Sequence, residues 1–89
     1  MTIRRRVVVH GRVQGVFFRD TCRREARRLG VTGFVRNAPD GTVVAVFEGD
    51  PDAVSTMLDW VHVGPDQAQV SRVEVFEEEP AGLSDFAVR

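Results

Sequence analysis

The stretch Val7-Val8-Val9-His10-Gly11-Arg12-Val13-Gln14-Gly15-Val16-Phe17-Phe18-Arg19 decides how the chain is read. Three valines lead in as a strand, glycines at 11 and 15 break it, and Arg19 stands where a helix is about to begin. Glycine takes positive φ without steric cost, so the two glycines let successive N–H groups turn toward one point. The helix behind them adds N–H groups with no intrahelical acceptor and the positive end of its macrodipole. A guanidinium at Arg19 supplies a fork of donors that matches two oxygens of a phosphate. Read together, the backbone of Gln14, Gly15, Val16, Phe17 and Phe18, with Arg19, makes an anion site.

Working outward, residues 3–10 form the strand, with Val7 and Val9 on one face and Val8 and His10 on the other. A loop over 11–18 leads to a helix over 19–29. There Cys22, Ala26 and Leu29 make a buried stripe, while Arg23, Arg24, Arg27 and Arg28 fill a solvated face. Gly30 ends the helix as a left-handed cap. Residues 32–37 and 42–48 read as strands joined by a Pro39-Asp40-Gly41 turn, which sets Asn37 at a rigid strand end. Asp50 caps a second helix with Pro51 at its first position. Val54, Met57, Leu58 and Val61 form its stripe, and Gly64-Pro65 stops it. A strand over 69–77, an acidic solvated bend over Glu77-Glu78-Glu79-Pro80 and a short strand over 84–89 complete the chain.

Two amphipathic helices in this order bury their stripes by packing side by side on one face of a sheet. The expected fold is α+β, a ferredoxin-like βαββαβ two-layer sandwich with an antiparallel sheet and a short extra C-terminal strand. Period two places Val8, His10, Val44 and Val46 on the other, open face. The expected state is a monomer, with weak pairing of two copies through that face as the alternative.

An 89-residue chain makes one domain, here 1–89, with room for a core and no separate substrate domain. A single cysteine excludes an internal disulfide, and no apolar run is long enough for a membrane span, which together suggest a cytoplasmic protein. Residues 1–36 hold ten arginines against Asp20 and Glu25, and residues 37–89 hold Arg72 and Arg89 against eleven acids. Alternating strands and helices distribute those arginines over several surfaces, which argues for attraction of a small anion and against nucleic acid. No metal or other cofactor is expected. His10 and His62 lie far apart with no acids at ligand spacing, and Cys22 has no partner to activate it.

These residues also carry a family resemblance. Gly11 to Arg19 closely resembles the first acylphosphatase signature, and Gly33-Phe34-Val35-Arg36-Asn37-Ala38-Pro39-Asp40-Gly41-Thr42-Val43, followed by Glu48-Gly49, resembles the second. The likeness continues through Leu29-Gly30, Trp60, Gly64-Pro65, Ala68-Gln69-Val70 and Phe86-Ala87-Val88-Arg89, so it spans nearly the whole chain. It departs at Val44, where a polar residue is common, and at His10, where an aromatic or aliphatic one often stands. The resemblance implies the same fold and metal-free hydrolysis of a small acyl phosphate to carboxylate and orthophosphate. It further implies that Arg19 binds the phosphate and Asn37 positions the attacking water.

The chemistry is consistent with those roles. A carboxylate leaves without strong acid catalysis, so what remains is to stabilise charge on the phosphoryl oxygens and to align a water. Among rival classes, an RNA-recognition domain needs aromatics on the open face, where this chain has valines and a histidine. A non-catalytic phosphate- or acyl-phosphate-binding regulatory module on the same fold is the remaining alternative.

Overall fold

A computed structural model describes all of residues 1–89. The elements are β1 (Ile3–Arg12), α1 (Phe18–Arg28), β2 (Thr32–Asn37), β3 (Val43–Gly49), α2 (Pro51–Val63), β4 (Gln69–Glu78) and β5 (Phe86–Val88). The strands form one sheet in the order β4-β1-β3-β2-β5, and both helices cover the same face, as a ferredoxin-like sandwich requires. Alternation decides that face. Val7 and Val9 of β1, Val35 of β2, and Val43, Ala45 and Phe47 of β3 all point into a core that they share with Cys22, Ala26, Val54, Met57 and Val61 of the helices. Each of the valines, Phe47 and Met57 contributes roughly 1.5–3 kcal/mol on full burial.

Local chemistry fixes the ends of the helices. Val31 N–H donates to Ala26 O at 2.8 Å and Gly30 N–H to Arg27 O at 3.2 Å, a Schellman closure of α1 made possible by the left-handed Gly30 (φ 72°). Asp50 caps α2 by accepting from Asp52 N–H at 3.2 Å, with Pro51 in the first turn.

Four expectations need correction. First, β1 does not stop at His10 but runs to Arg12, with a bulge between His10 and Gly11 where it pairs with β4. Gly11 therefore serves the sheet and not the anion loop, since a Cβ there would lie 2.1 Å from the Gln69 carbonyl oxygen. Second, the sheet is mixed. The last strand is shorter than expected and pairs parallel with β2, anchored by Phe86 against Phe47 at 5.9 Å between ring centroids.

Third, Glu77 and Glu78 lie within β4 and not in a bend. Glu78 there accepts from Arg4 Nε at 2.9 Å and Arg6 Nε at 3.0 Å. Fourth, the open face does not expose its valines. Val46 lies between Arg6 and Phe34 in the register and Val44 between Val8 and Arg36, and both valines are buried. Arg6 lies over the Phe76 ring and Arg89 over the Phe34 ring, so arginine stems and aromatic rings cover the strand centre.

The same face holds a buried carboxylate. Glu48 at the end of β3 accepts from Ala81 N–H at 2.6 Å and from Gly82 and Leu83 N–H at 2.9 Å each, with Arg4 Nη1 at 3.6 Å. This contact holds the 81–83 segment against the sheet and so delivers β5 to the edge of β2. Burial alone would raise the Glu48 pKa, but the three N–H donors and Arg4 outweigh it and hold the carboxyl below its ordinary range. A depressed carboxyl contributes stability above its unfolded pKa of about 4.3 and loses it as pH falls through the folded value. Glu48→Gln is therefore expected to lose roughly 2–3 kcal/mol at neutral pH. The gap from the parent should close below about pH 4, as read from urea unfolding over a pH series.

Candidate active site

The site sits at the end of the sheet where β1 and β2 finish. Val43 stands opposite both Val9 of β1 and Asn37 of β2, so one row of the sheet sets Asn37 level with the start of the loop that follows β1. The turn behind Asn37 is tightly held. Ala38 N–H donates to Thr42 O at 2.9 Å, and Asp40 accepts from Thr42 Oγ1 at 2.6 Å and Thr42 N–H at 3.0 Å. These bonds, the hydroxyl first, keep the Asp40 carboxyl below its usual range.

From Val13 the chain turns into the loop expected to hold an anion. Gly15 (φ 72°) and Phe17 (φ 64°) are both left-handed, and this alternation directs consecutive N–H groups to the same side. No backbone N–H from Gln14 to Asp20 finds an acceptor in the chain. Thr21 is the first that does, donating to Phe17 O at 3.1 Å, and no side chain caps α1. Of this run, Gly15 and Phe17 to Asp20 border a cavity of about 420 Å³, whose lining is completed by Val13, Arg23, Asn37 and Val88.

Arg19 is the one arginine of α1 outside an ion pair. Arg23 and Arg24 both hold Asp20, at 2.7 and 3.0 Å, while Arg27 pairs with Asp85 and Arg28 with Glu25. Arg19 and Asn37, distant in sequence, thus border one cavity, and neither side chain is engaged elsewhere in the chain. Of the other residues expected at the site, Gly15, Phe17 and Phe18 line the cavity. Val16 is buried in the core, and the Gln14 side chain reaches away from the cavity.

That reach has a function the sequence did not signal. Gln14 Nε2 donates to Ala38 O at 2.8 Å and Thr42 O at 3.0 Å, tying the loop to the hairpin behind Asn37. Arg23, which the sequence places on a solvated face, borders the cavity, because it lies one helical turn beyond Arg19 on the same face of α1. Val88 also lines the site, brought there by the parallel pairing of β5.

Cys22 is fully buried on the core face of α1, and burial pushes its thiol pKa up, so it is a core residue and no nucleophile. His10 bonds Glu74 at 2.6 Å on the open face, and His62 bonds Leu58 O at 2.7 Å on α2. No three His, Cys, Asp or Glu side chains are placed together so as to hold a metal ion.

Residues 5–88 match the acylphosphatase family model. An acylphosphatase of Thermococcus kodakarensis is 57% identical over 97% of this chain and 94% of its own length, and one of Rubrobacter xylanophilus is 60% identical over 99% and 81%. The solved structure of an acylphosphatase from Coxiella burnetii superimposes with a TM-score of 0.95 at 41% identity, covering 99% of this chain and 93% of that one. Fold, signature loop and relatives agree: the chain belongs to the acylphosphatase family.

Proposed function

We propose that this protein hydrolyses the carboxyl–phosphate anhydride of small acyl phosphates, releasing carboxylate and orthophosphate. The observation that carries this reading is the run of acceptor-free N–H groups from Gln14 to Asp20, most of whose residues line a cavity that also receives Arg19 and Asn37. The N–H groups and the Arg19 guanidinium bind the phosphoryl oxygens and stabilise the charge that develops on them in the transition state. The Asn37 carboxamide oxygen accepts a hydrogen bond from the attacking water and aligns it with the phosphorus. The water oxygen bonds to phosphorus as the bond from phosphorus to the acyl oxygen breaks. The bonding pair leaves with the carboxylate, and the water's proton passes to a phosphate oxygen, since an amide cannot act as a base.

Gln14 is a positioning residue in this scheme. Its amide bonds hold the phosphate loop and the Asn37 hairpin at a fixed separation, which an in-line attack requires. The whole site lies within the single domain 1–89. The covered valines of the open face favour a monomer over a dimer through that face, and the lone buried Cys22 suits the reducing cytoplasm. No helix is long and apolar enough to cross a membrane.

Turnover of acetyl phosphate, with and without chelator, tests the reading. Activity that persists with chelator is expected, whereas phosphate binding without turnover would favour the regulatory module. Arg19→Gln should lose both phosphate affinity and turnover, the latter by a factor on the order of 10² to 10³. Asn37→Ala should keep inhibition by inorganic phosphate while kcat drops by a factor on the order of 10². Gln14→Leu should lower kcat about tenfold and cost roughly 1–2 kcal/mol of unfolding free energy.

A further inference from the structure

Arg19 and Asn37 come from different elements, α1 and β2, and two connections fix their separation. Gln14 ties the phosphate loop to the Asn37 hairpin at the front. At the back, β5 stands against both elements. It joins β2 through the parallel pairing of Phe86 with Gly33 and Val88 with Val35, and Arg89 N–H donates to Val35 O at 2.8 Å. It joins α1 through Arg27, whose Nη2 donates to Asp85 Oδ2 at 3.1 Å and to Phe86 O at 3.2 Å. β5 is therefore a brace between the two elements that carry the site.

A strand of three residues does not hold itself in place, and the segment between Glu78 and Asp85 that leads to it belongs to no helix or strand. The hydrogen bonds of that segment all go to one side chain. Ala81 donates to Glu48 Oε1, and Gly82 and Leu83 both donate to Glu48 Oε2. Glu48 is 2% exposed and stands opposite Thr32 in the register, at the far end of β3 from the row of Asn37. At the rise of a strand that is about 16 Å from Asn37, too far to touch the reacting atoms. What Glu48 controls is where β5 lies.

We propose that Glu48 is a positioning residue for hydrolysis: it latches residues 81–83 so that β5 braces α1 against β2 at the separation of Arg19 and Asn37 that in-line attack requires. The proposal rests on the hydrolase reading above. A carboxylate suits the task because its two oxygens accept three N–H bonds at once, and bonds to an ionised acceptor are stronger than neutral ones. A carboxamide keeps one accepting oxygen and turns an NH₂ toward the donors left over. The donor loop lies outside this chain of contacts, since the left-handed Gly15 and Phe17 shape it locally. Loss of the latch therefore misaligns the water held by Asn37 and leaves the phosphate site in place.

The test measures kcat for acetyl phosphate and inhibition by inorganic phosphate in the parent, Glu48→Gln, Arg27→Met and the double variant, at a temperature where circular dichroism shows the proteins folded. Glu48→Gln should lower kcat about tenfold while the inhibition constant stays within about twofold of the parent. Arg27→Met cuts the same brace at α1 and spares the buried carboxylate, so it should lower kcat severalfold with the inhibition constant again unchanged. The double variant should lose no more than Glu48→Gln alone, because the two changes release one brace. A folded Glu48→Gln with parental kcat, or losses that multiply in the double variant, would overturn the latch and leave the hydrolase reading standing. If Glu48→Gln does not fold, Arg27→Met decides alone, and parental kcat there would overturn the latch. A parent that turns over no acetyl phosphate would overturn the hydrolase reading, and the catalytic role of Glu48 with it.

Discussion

Backbone N–H groups left without acceptors are a cost that folded chains avoid, and the turn from Gln14 to Asp20 gathers that cost in one place. Two left-handed residues and an uncapped helix start prevent these donors from bonding within the chain. In the proposed reaction an oxyanion is the partner that completes them, and it gains the helix macrodipole as well. The remaining features of the site follow from keeping that ring of donors in place. The β1–β3–β2 row sets the height of Asn37, Gln14 ties loop to hairpin, and the ion pairs of Asp20 leave Arg19 free.

What could be read from the sequence was local. Gly15, the Pro39-Asp40-Gly41 turn, the Asp50-Pro51 helix start and the Gly30 cap each state their conformation through neighbouring residues. The structure follows them closely. The apolar stripes of the helices were legible for the same reason, because periodicity is a local signal. Arg19 and Asn37 were assigned through spacing within two signatures, and only the sheet register brings them to one cavity.

What could not be read was set by distant partners. Nothing near Glu48 indicates that its carboxylate will collect three N–H groups from residues 81–83, and nothing near Gln14 signals acceptors on Ala38 and Thr42. Gly11 resembles a loop glycine until the Gln69 carbonyl is placed against it. The acidic run at 77–79 reads as a solvated bend until Arg4 and Arg6 are paired with Glu78 across the strands. That pairing also explains the uneven charge of the two halves. The arginines of early β1 are neutralised by late acids, whereas Arg12, Arg19 and Arg36 make no ion pair and lie toward the sheet end where the cavity opens. There they raise positive potential for an incoming anion.

The position of β1 in the sheet has a consequence for how the molecule is assembled. Both neighbours of β1 come from later in the chain, and β4 begins only at Gln69. Until that strand has emerged from the ribosome, one edge of β1 stays open and Arg4 and Arg6 have no Glu78 to meet. Closing the loop between β1 and β4 costs conformational entropy before their pairing repays it. During synthesis the open flank is a strand of valines guarded by three consecutive arginines, a positive charge that repels other nascent copies at the stage when edge-to-edge association is most dangerous.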